Sequence, residues 1–443
     1  MTGPIAKKAL DRDILRLAVP ALGALVAEPL FLLTDTALVG HLGETSLAGL
    51  GIASALLQTV IGLLIFLAYA TTPAVARMLG SGNIPGAIRA GLDGLWLALL
   101  LGVTLGLAGL VLARPLVGLF PSTPGVADAA STYLTISLAG LPAMLLVIAA
   151  TGLFRGLQDT RTPLIVAGAG FGANIVLNVV LIYGLGLGIA GSATGTVIAQ
   201  WGMAAVLIAI AVRRARVTGV SLRPGLAGVR GVAASGGWLL VRTASLRAAI
   251  LGSVAVATSL GVIELAAFQV ATTVFFTLAF VLDSLAIAGQ ALIGHGLGAS
   301  QVDRTRAIMH RLVQWGLGSG VVLGALVAAS AVLLGPVFSS NPAVQQAITV
   351  TLLVMAAGVP LAGYVFVLDG VLIGAGDAKY LAIAGLVNLA VYLPMLVAVA
   401  VVHPTGTAGL TWLWLAFGYG YIAARAITLG LRARTTSWLV TGA

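Results

Sequence analysis

The chain has 443 residues, 60% of them hydrophobic and only 8% charged, a balance that excludes a soluble globular domain and reads as an integral membrane protein. It has no cysteine, which excludes disulfides, thiolate metal sites and cysteine nucleophiles, and its four histidines (His41, His295, His310 and His403) form no i, i+4 ligand pair. The net charge of +10 would suit nucleic acid, but the charges are placed for a membrane.

The polar start, MTGPIAKKALDRD, lacks the apolar core and small-residue cleavage site of a secretory signal, so the first helix is expected to stay attached. Apolar runs then follow one another from Ile14 to near Leu431, each of about 20 residues or more, the length that crosses roughly 30 Å of hydrocarbon. Twelve spans are predicted: 14–38, 46–73, 91–113, 128–153, 162–184, 189–212, 232–259, 264–292, 311–335, 344–371, 380–402 and 407–430. Of the 23 Lys and Arg, all but Arg114, Arg242 and Arg247 fall at the chain ends or in alternate loops. That bias predicts both termini in the cytoplasm of a plasma (inner) membrane and an even number of crossings.

The first span carries the stretch EPLFLLTDTALVGHLG, with Glu28 and Asp35 in an otherwise apolar run. An acid near the centre of a spanning helix costs about 2.5 to 3.5 kcal/mol, and such residues usually mark ion or proton paths. Seven residues make nearly two turns, so the two acids share one face, about 10 Å apart along the axis. No Lys or Arg occurs within another span of the first half except near its ends, so the pair lacks a fixed cation. Both are candidates to take up and release a proton in each cycle; the structural alternative is neutral polar glue between helices. Pro20 and Pro29 share this helix and are its hinge candidates.

Further along, Asn174 and Asn178 lie at i, i+4 on the fifth span and Thr196 on the sixth. They could hydrogen-bond the acids or a cation's oxygen shell, or serve as packing contacts between helices. GLGLGIAG, at 184–191, contains G-x-G-x-x-G, but no strand precedes it and no βαβ unit surrounds it, so it reads as a turn between spans. The basic stretch 213–231 is the predicted cytoplasmic linker between an N-terminal bundle, 1–212, and a C-terminal bundle, 232–443. In the second half Arg242 and Arg247, on the seventh span, are available to pair with Asp283 and Asp369, which reads as a structural ion pair.

Adding 218 to a residue number in the first half repeatedly lands on a similar residue in the second. RMLGSGN at 77 meets HGLGASQ at 295, LFPSTPGVADAASTYL at 119 meets VFSSNPAVQQAITVTL at 337, Pro142 meets Pro360, and GLFRGLQD at 152 meets GVLIGAGD at 370. The fold class is therefore all-α membrane: twelve transmembrane helices in two parallel six-helix pseudo-repeats around a central cavity, suited to alternating access. At the positions of Glu28 and Asp35 the second repeat has Leu246 and Ser253, so coupling chemistry is expected in the N-terminal bundle.

EPLFLLTDTALVGHLG, GLFRGLQDTRTPL at 152 and FVLDGVLIGAGD at 366, in a chain of this organisation, resemble the multidrug and toxic compound extrusion (MATE) family, in particular its DinF-like branch, over essentially the whole length. The resemblance implies export of drugs or metabolites, often cationic and amphiphilic, in exchange for H⁺ or Na⁺. It makes Asp35 the coupling residue, Glu28 its polar companion, Pro20 the bending point of the first helix, and Asn174, Asn178 and Thr196 the accompanying polar contacts. Some relatives have Asp where this chain has Asn178, which counts against a direct transfer of their cation site. Another branch places its cation site in the second bundle with an acid on the seventh helix; here that helix offers Arg242 and Arg247, although Asp369 is present.

The expectation is thus a proton-coupled exporter, a monomer in the lipid bilayer acting on small-molecule substrates, with no nucleic acid, no resident cofactor and no enzymatic activity. Na⁺ coupling and a flippase for a lipid-linked precursor are the alternatives. Glu28 is either a second coupling residue or a substrate contact. A transferase acting on isoprenoid diphosphates would need clustered cytoplasmic Asp residues for Mg²⁺, and the inner loops offer only isolated acids such as Asp159, Asp303 and Asp377.

Overall fold

The computed structural model describes residues 7–442; the first six residues of the polar start lie outside them. The described chain forms the helices α1 (Lys7–Gly40), α2 (Glu44–Gly80), α3 (Ile84–Val117), α4 (Pro124–Leu138 and Leu141–Gly156), α5 (Arg161–Gly184) and α6 (Gly188–Val217). There follow α7 (Leu226–Leu260), α8 (Val262–Gly298), α9 (Val302–Phe338), α10 (Pro342–Gly374), α11 (Ala378–Val402) and α12, built of Thr407–Trp414, Leu415–Tyr421 and Ile422–Arg434. Among the described residues ten of these helices are long and apolar enough to cross a membrane, and eleven when the two pieces of α4, which meet at 51°, count as one span. The last predicted span is α12, in which a π-helical stretch, Leu415–Tyr421, interrupts the α-helical ladder without ending the helix.

The bend in α4 has a local cause. Gly140 precedes a new helical start with Pro142 in its first turn, where the ring's missing N–H costs nothing and the preceding chain is turned aside. In α1, by contrast, the helix runs unbroken through Pro20 and Pro29.

The repeat seen in the sequence is reproduced in the backbone. Both ends of α2 and α8 differ by 218, as do both ends of α4 and α10. The residues that turn through positive φ also pair at that offset: Gly43 with Gly261, Gly82 with Ser300, Gln158 with Gly376, and Gly188 with Gly406. Helix crossings repeat as well. A Cβ at Gly102 would lie 2.5 Å from Pro142 Cα, and one at Gly320 would lie 2.6 Å from Pro360 Cα, so in both halves a glycine admits the neighbouring backbone. In the first repeat α4 packs on α2, α3 and α6, and in the second α10 packs on α8 and α9.

Two compact units result, set by packing. One unit is Val19–Gly236; the other joins the chain up to Ala18 with Gly237–Gly442. The loop between the repeats is also shorter than the predicted linker, because α6 continues to Val217 and α7 starts at Leu226. The first helix of each repeat therefore begins in the unit formed mainly by the other repeat. Equivalent positions hold both starts: Asp93 on α3 accepts from Gly225 N at 2.9 Å, while Arg311 on α9, 218 residues later, grips Asp11 through Nε at 2.6 Å and Nη2 at 2.8 Å. Trp315 Nε1 donates to the same carboxylate at 2.8 Å, and Arg304 pairs with Asp13 at 3.3 Å.

Asp11 precedes the apolar run that starts at Ile14 and lies outside the membrane-spanning part of α1. Hydrogen bonds from Arg311 and Trp315 hold its carboxyl at about 2, against an ordinary 3.8. A lowered folded value means that the stabilisation is complete above the ordinary value and is lost as pH falls through the folded one. Asp11→Asn is expected to lower the thermal unfolding midpoint at neutral pH, with the gap to wild type closing as pH drops from about 4 toward about 2. A gap that persists unchanged across that window would show that the charge of Asp11 contributes nothing.

Candidate functional site

The first unit places Asp35 in a buried cage contributed by four helices. Its Oδ1 accepts from Asn178 Nδ2 on α5 at 2.9 Å and from Ser192 Oγ on α6 at 2.5 Å, and its Oδ2 accepts from Tyr133 OH on α4 at 3.1 Å. Asn178 also donates to Asn174 Oδ1 at 3.2 Å, and Asn174 Nδ2 donates to Thr196 Oγ1 at 3.2 Å. Asp35, Tyr133, Asn174, Asn178, Ser192 and Thr196 are all buried, with no solvent exposure at Asn178 and Ser192. The α5 and α6 helices each supply two groups about one turn apart (174 and 178, 192 and 196), which stacks each pair on one face of its helix.

The cage is made of donors. Three hydrogen bonds converge on the carboxylate, and among the described residues no Lys or Arg forms an ion pair with it. Asn178 Oδ1 is the group without a partner, turned instead toward Gly195. A Cβ at Gly195 would collide with that oxygen, so glycine is required where α5 and α6 come together.

Beside the cage lies a cavity of about 260 Å³ lined by α1, α2, α4, α5 and α6. Its walls are mainly apolar, with Phe31, Ile61, Met144, Phe171 and Met203 among them, and its polar groups include Glu28, Gln58, Arg155 and Gln200. Tyr133 and Thr196 line it too, so these two side chains join the cavity to the cage. The two acids of α1 therefore stand in different surroundings. Asp35 is enclosed among donors, whereas Glu28 faces the cavity and makes no hydrogen bond or ion pair among the described residues. Pro29, next to Glu28, removes the N–H that would bond the carbonyl of Leu25, another cavity residue, and Pro20 lies one residue inside the border of the unit.

The second unit is built differently at the matching positions. Ser253 stands for Asp35 and exchanges a 2.7 Å hydrogen bond with Tyr392, which stands for Asn174. Trp414, Phe417 and Tyr421 replace Thr196, Ala199 and Met203, and their rings pack on one another. Asp369 pairs with Arg242 through both carboxylate oxygens, the Nε contact measuring 3.0 Å, and Arg425 Nη2 lies 3.5 Å from Asp369 Oδ1. The three stand where the first repeat has cavity residues Thr151, Ala24 and Leu207. Arg247 was an expected partner for these acids; it is exposed on α7 and outside this group, because five residues carry it away from the face of Arg242. Asp283 is half-buried on α8.

Tyr133, Ser192, Arg155 and Arg425 were not singled out by the sequence. Ser192 left one signal, its place four residues before Thr196. Arg155 and Arg425 read as cytoplasmic charges, yet both are buried. Among the described residues no group of three or more His, Cys, Asp or Glu could hold a metal ion.

Comparison with known proteins is consistent over the whole length. The MatE family model matches residues 20–180 and 249–398. Protein DETOXIFICATION 43 of Arabidopsis thaliana is 29% identical over 94% of this chain and 89% of that protein. The probable multidrug resistance protein NorM of Bradyrhizobium diazoefficiens is 29% identical over 95% of this chain and 92% of its own, and the DNA damage-inducible protein F of Escherichia coli is 28% identical over 65% and 64%. Among solved structures, the Vibrio cholerae MATE transporter VcmN in its bent form matches with a TM-score of 0.87 at 21% identity, covering 96% of this chain and 97% of that one. A MATE in complex with MaD3S matches with a TM-score of 0.84 at 21% identity, covering 96% and 95%.

Proposed function

The chain belongs to the MatE family of multidrug and toxic-compound efflux transporters, and on that premise we propose that it is an antiporter that exports its substrates in exchange for protons carried by Asp35. It is a multi-pass membrane transporter and not an enzyme. The observation that carries the proton reading is the cage: three side-chain donors, and among the described residues no Lys or Arg, stand against a buried carboxylate.

Such a cage suits the charged form, so adding a proton must rearrange it. The amide of Asn178 cannot stop donating without turning over, but the hydroxyls of Tyr133 and Ser192 can rotate. A proton on Oδ2 therefore displaces the Tyr133 hydroxyl hydrogen, for which Thr196 and Ser192 are the neighbouring acceptors. Because Tyr133 and Thr196 line the cavity, the protonation state of Asp35 changes the polar groups that a substrate meets. Protons then enter from outside, substrate leaves the cavity, and inward release of the protons resets the cycle; the membrane potential biases it by about 2.3 kcal/mol per charge per 100 mV. In this reading the chain is a monomer of the plasma membrane with cytoplasmic termini, it needs no cofactor, and Glu28 contacts substrate cations in the cavity.

Na⁺ coupling is the second reading, and the free Oδ1 of Asn178 favours it. A Na⁺ beside Asp35 would require that amide to turn over and present its oxygen. Dye efflux in inverted vesicles, driven separately by ΔpH and by a Na⁺ gradient, tests the choice. Transport driven by ΔpH alone is expected; transport driven only by Na⁺ would replace the proton with the other ion.

A further inference from the structure

In the first unit α5 leaves the regular α-helical ladder two residues after Asn178: Val180–Gly184 forms a π turn, closed by Leu185 N donating to Val180 O at 2.9 Å. Five residues of regular helix would set Tyr183 about 140° round from Asn178, and the wider turn carries it back toward the face of the Asp35 cage. There its hydroxyl donates to Leu38 O on α1 at 2.6 Å. A helix leaves its last four carbonyls without intrahelical donors. In α1 those of Ala37, Val39 and Gly40 meet the chain that follows directly, through the His41 ring, Leu42 N and Gly43 N, whereas Leu38 O is served by a side chain 145 residues away. Leu38 lies about one turn beyond Asp35, and its neighbour Val39 and Tyr183's neighbour Ile182 are both buried. The second unit fastens the end of its first helix from a similar place: His403, just after α11, holds Ser259 O of α7 through Nε2 at 2.7 Å.

We propose that Tyr183 is a positioning residue for proton uptake: its bond to Leu38 latches the Gly40 end of α1 to α5 and shuts Asp35 off from the outer face until it parts. The inference rests on the proton-coupled reading with cytoplasmic termini, which turns the Gly40 end of α1 outward. Asp35 is 3% exposed, so a proton from outside reaches it only once the layer of Leu38, Val39, Ile182 and Tyr183 opens. A tyrosine at a membrane interface ordinarily turns its hydroxyl to water or headgroups, whereas this one bridges two helices. A single neutral hydrogen bond is strong enough to favour the shut form and weak enough to open in every cycle. Once released, α1 has Pro20 and Pro29 as places to bend.

The chain has no cysteine, so one introduced thiol reports on the latch. Val39→Cys puts it in the buried layer, and Leu185→Cys, at an exposed residue just past the π turn, controls for access of the reagent. A membrane-impermeant maleimide is added outside intact cells expressing the full-length protein, and labelling is followed on the purified protein. Tyr183→Phe, which keeps the ring and loses the bond, is expected to speed labelling of Val39→Cys about fivefold and to leave that of Leu185→Cys unchanged. Equal rates at position 39 with and without Tyr183→Phe overturn the proposal, and no labelling of Leu185→Cys overturns the outward placement it needs. A second arm asks whether the latch must open. Leu38→Cys with Tyr183→Cys is expected to support ΔpH-driven efflux in inverted vesicles, to lose it when a short bifunctional methanethiosulfonate bridges the two thiols, and to regain it when a reductant cleaves the bridge. Undiminished efflux in the fully bridged protein also overturns the proposal. A failure of the coupling reading gives a different result, efflux driven only by Na⁺ with the labelling difference still in place.

Discussion

Asp35→Asn will abolish ΔpH-driven dye efflux, bringing it to the level of empty inverted vesicles, while the protein still folds and inserts. The expectation follows from the cage. An amide has nearly the shape of the carboxylate, so packing among α1, α4, α5 and α6 is kept, but it exchanges no proton in the cycle. It also places an NH2 group where one of the three donors now points, and only the rotatable hydroxyls of Tyr133 and Ser192 can answer by accepting. The variant is then held in the arrangement proposed for protonated Asp35. Substrate binding is accordingly altered, whereas counterflow that needs no net proton movement is reduced far less than ΔpH-driven efflux. Undiminished ΔpH-driven efflux in the variant would exclude Asp35 as the proton carrier. Glu28→Gln, measured alongside, separates the two acids: it should weaken cationic substrates and leave neutral ones driven by ΔpH.

What the sequence made legible and what it hid have physical causes. The repeat was readable because helix ends, positive-φ turns and glycine crossings depend on local chemistry, which keeps its offset from Gly43 and Gly261 to Gly188 and Gly406. Asp35, Asn174, Asn178 and Thr196 were readable as polar exceptions in apolar spans, and the structure brings all four together. Tyr133 and Ser192 were hidden because a hydroxyl in a span is unremarkable until a distant helix supplies its partner; Asp35 lies 98 residues from one and 157 from the other. The compact units follow packing rather than the repeat, for a related reason. Internal similarity reports which segments correspond, whereas packing joins Asp11 to Arg311 across 300 residues.

Asp369→Asn is expected to cause the largest loss of stability, about 3 to 5 kcal/mol, the usual cost of removing one partner from a buried ion pair. Together Asp369, Arg242 and Arg425 carry one net positive charge, with side chains that are 10%, 13% and 9% exposed. The substitution raises that to two and leaves both guanidiniums facing an amide that can accept at only one oxygen. Thermal unfolding of the purified protein, followed by tryptophan fluorescence, reads the effect. The decisive comparison is the double variant Asp369→Asn, Arg242→Met, which returns the group to one positive charge and fills the vacated space with an apolar chain. If charge in a low-dielectric site governs stability, the double variant is more stable than Asp369→Asn alone, and the two changes are strongly non-additive. Additive losses would mean that solvent screens the group and that Asp369 acts through packing.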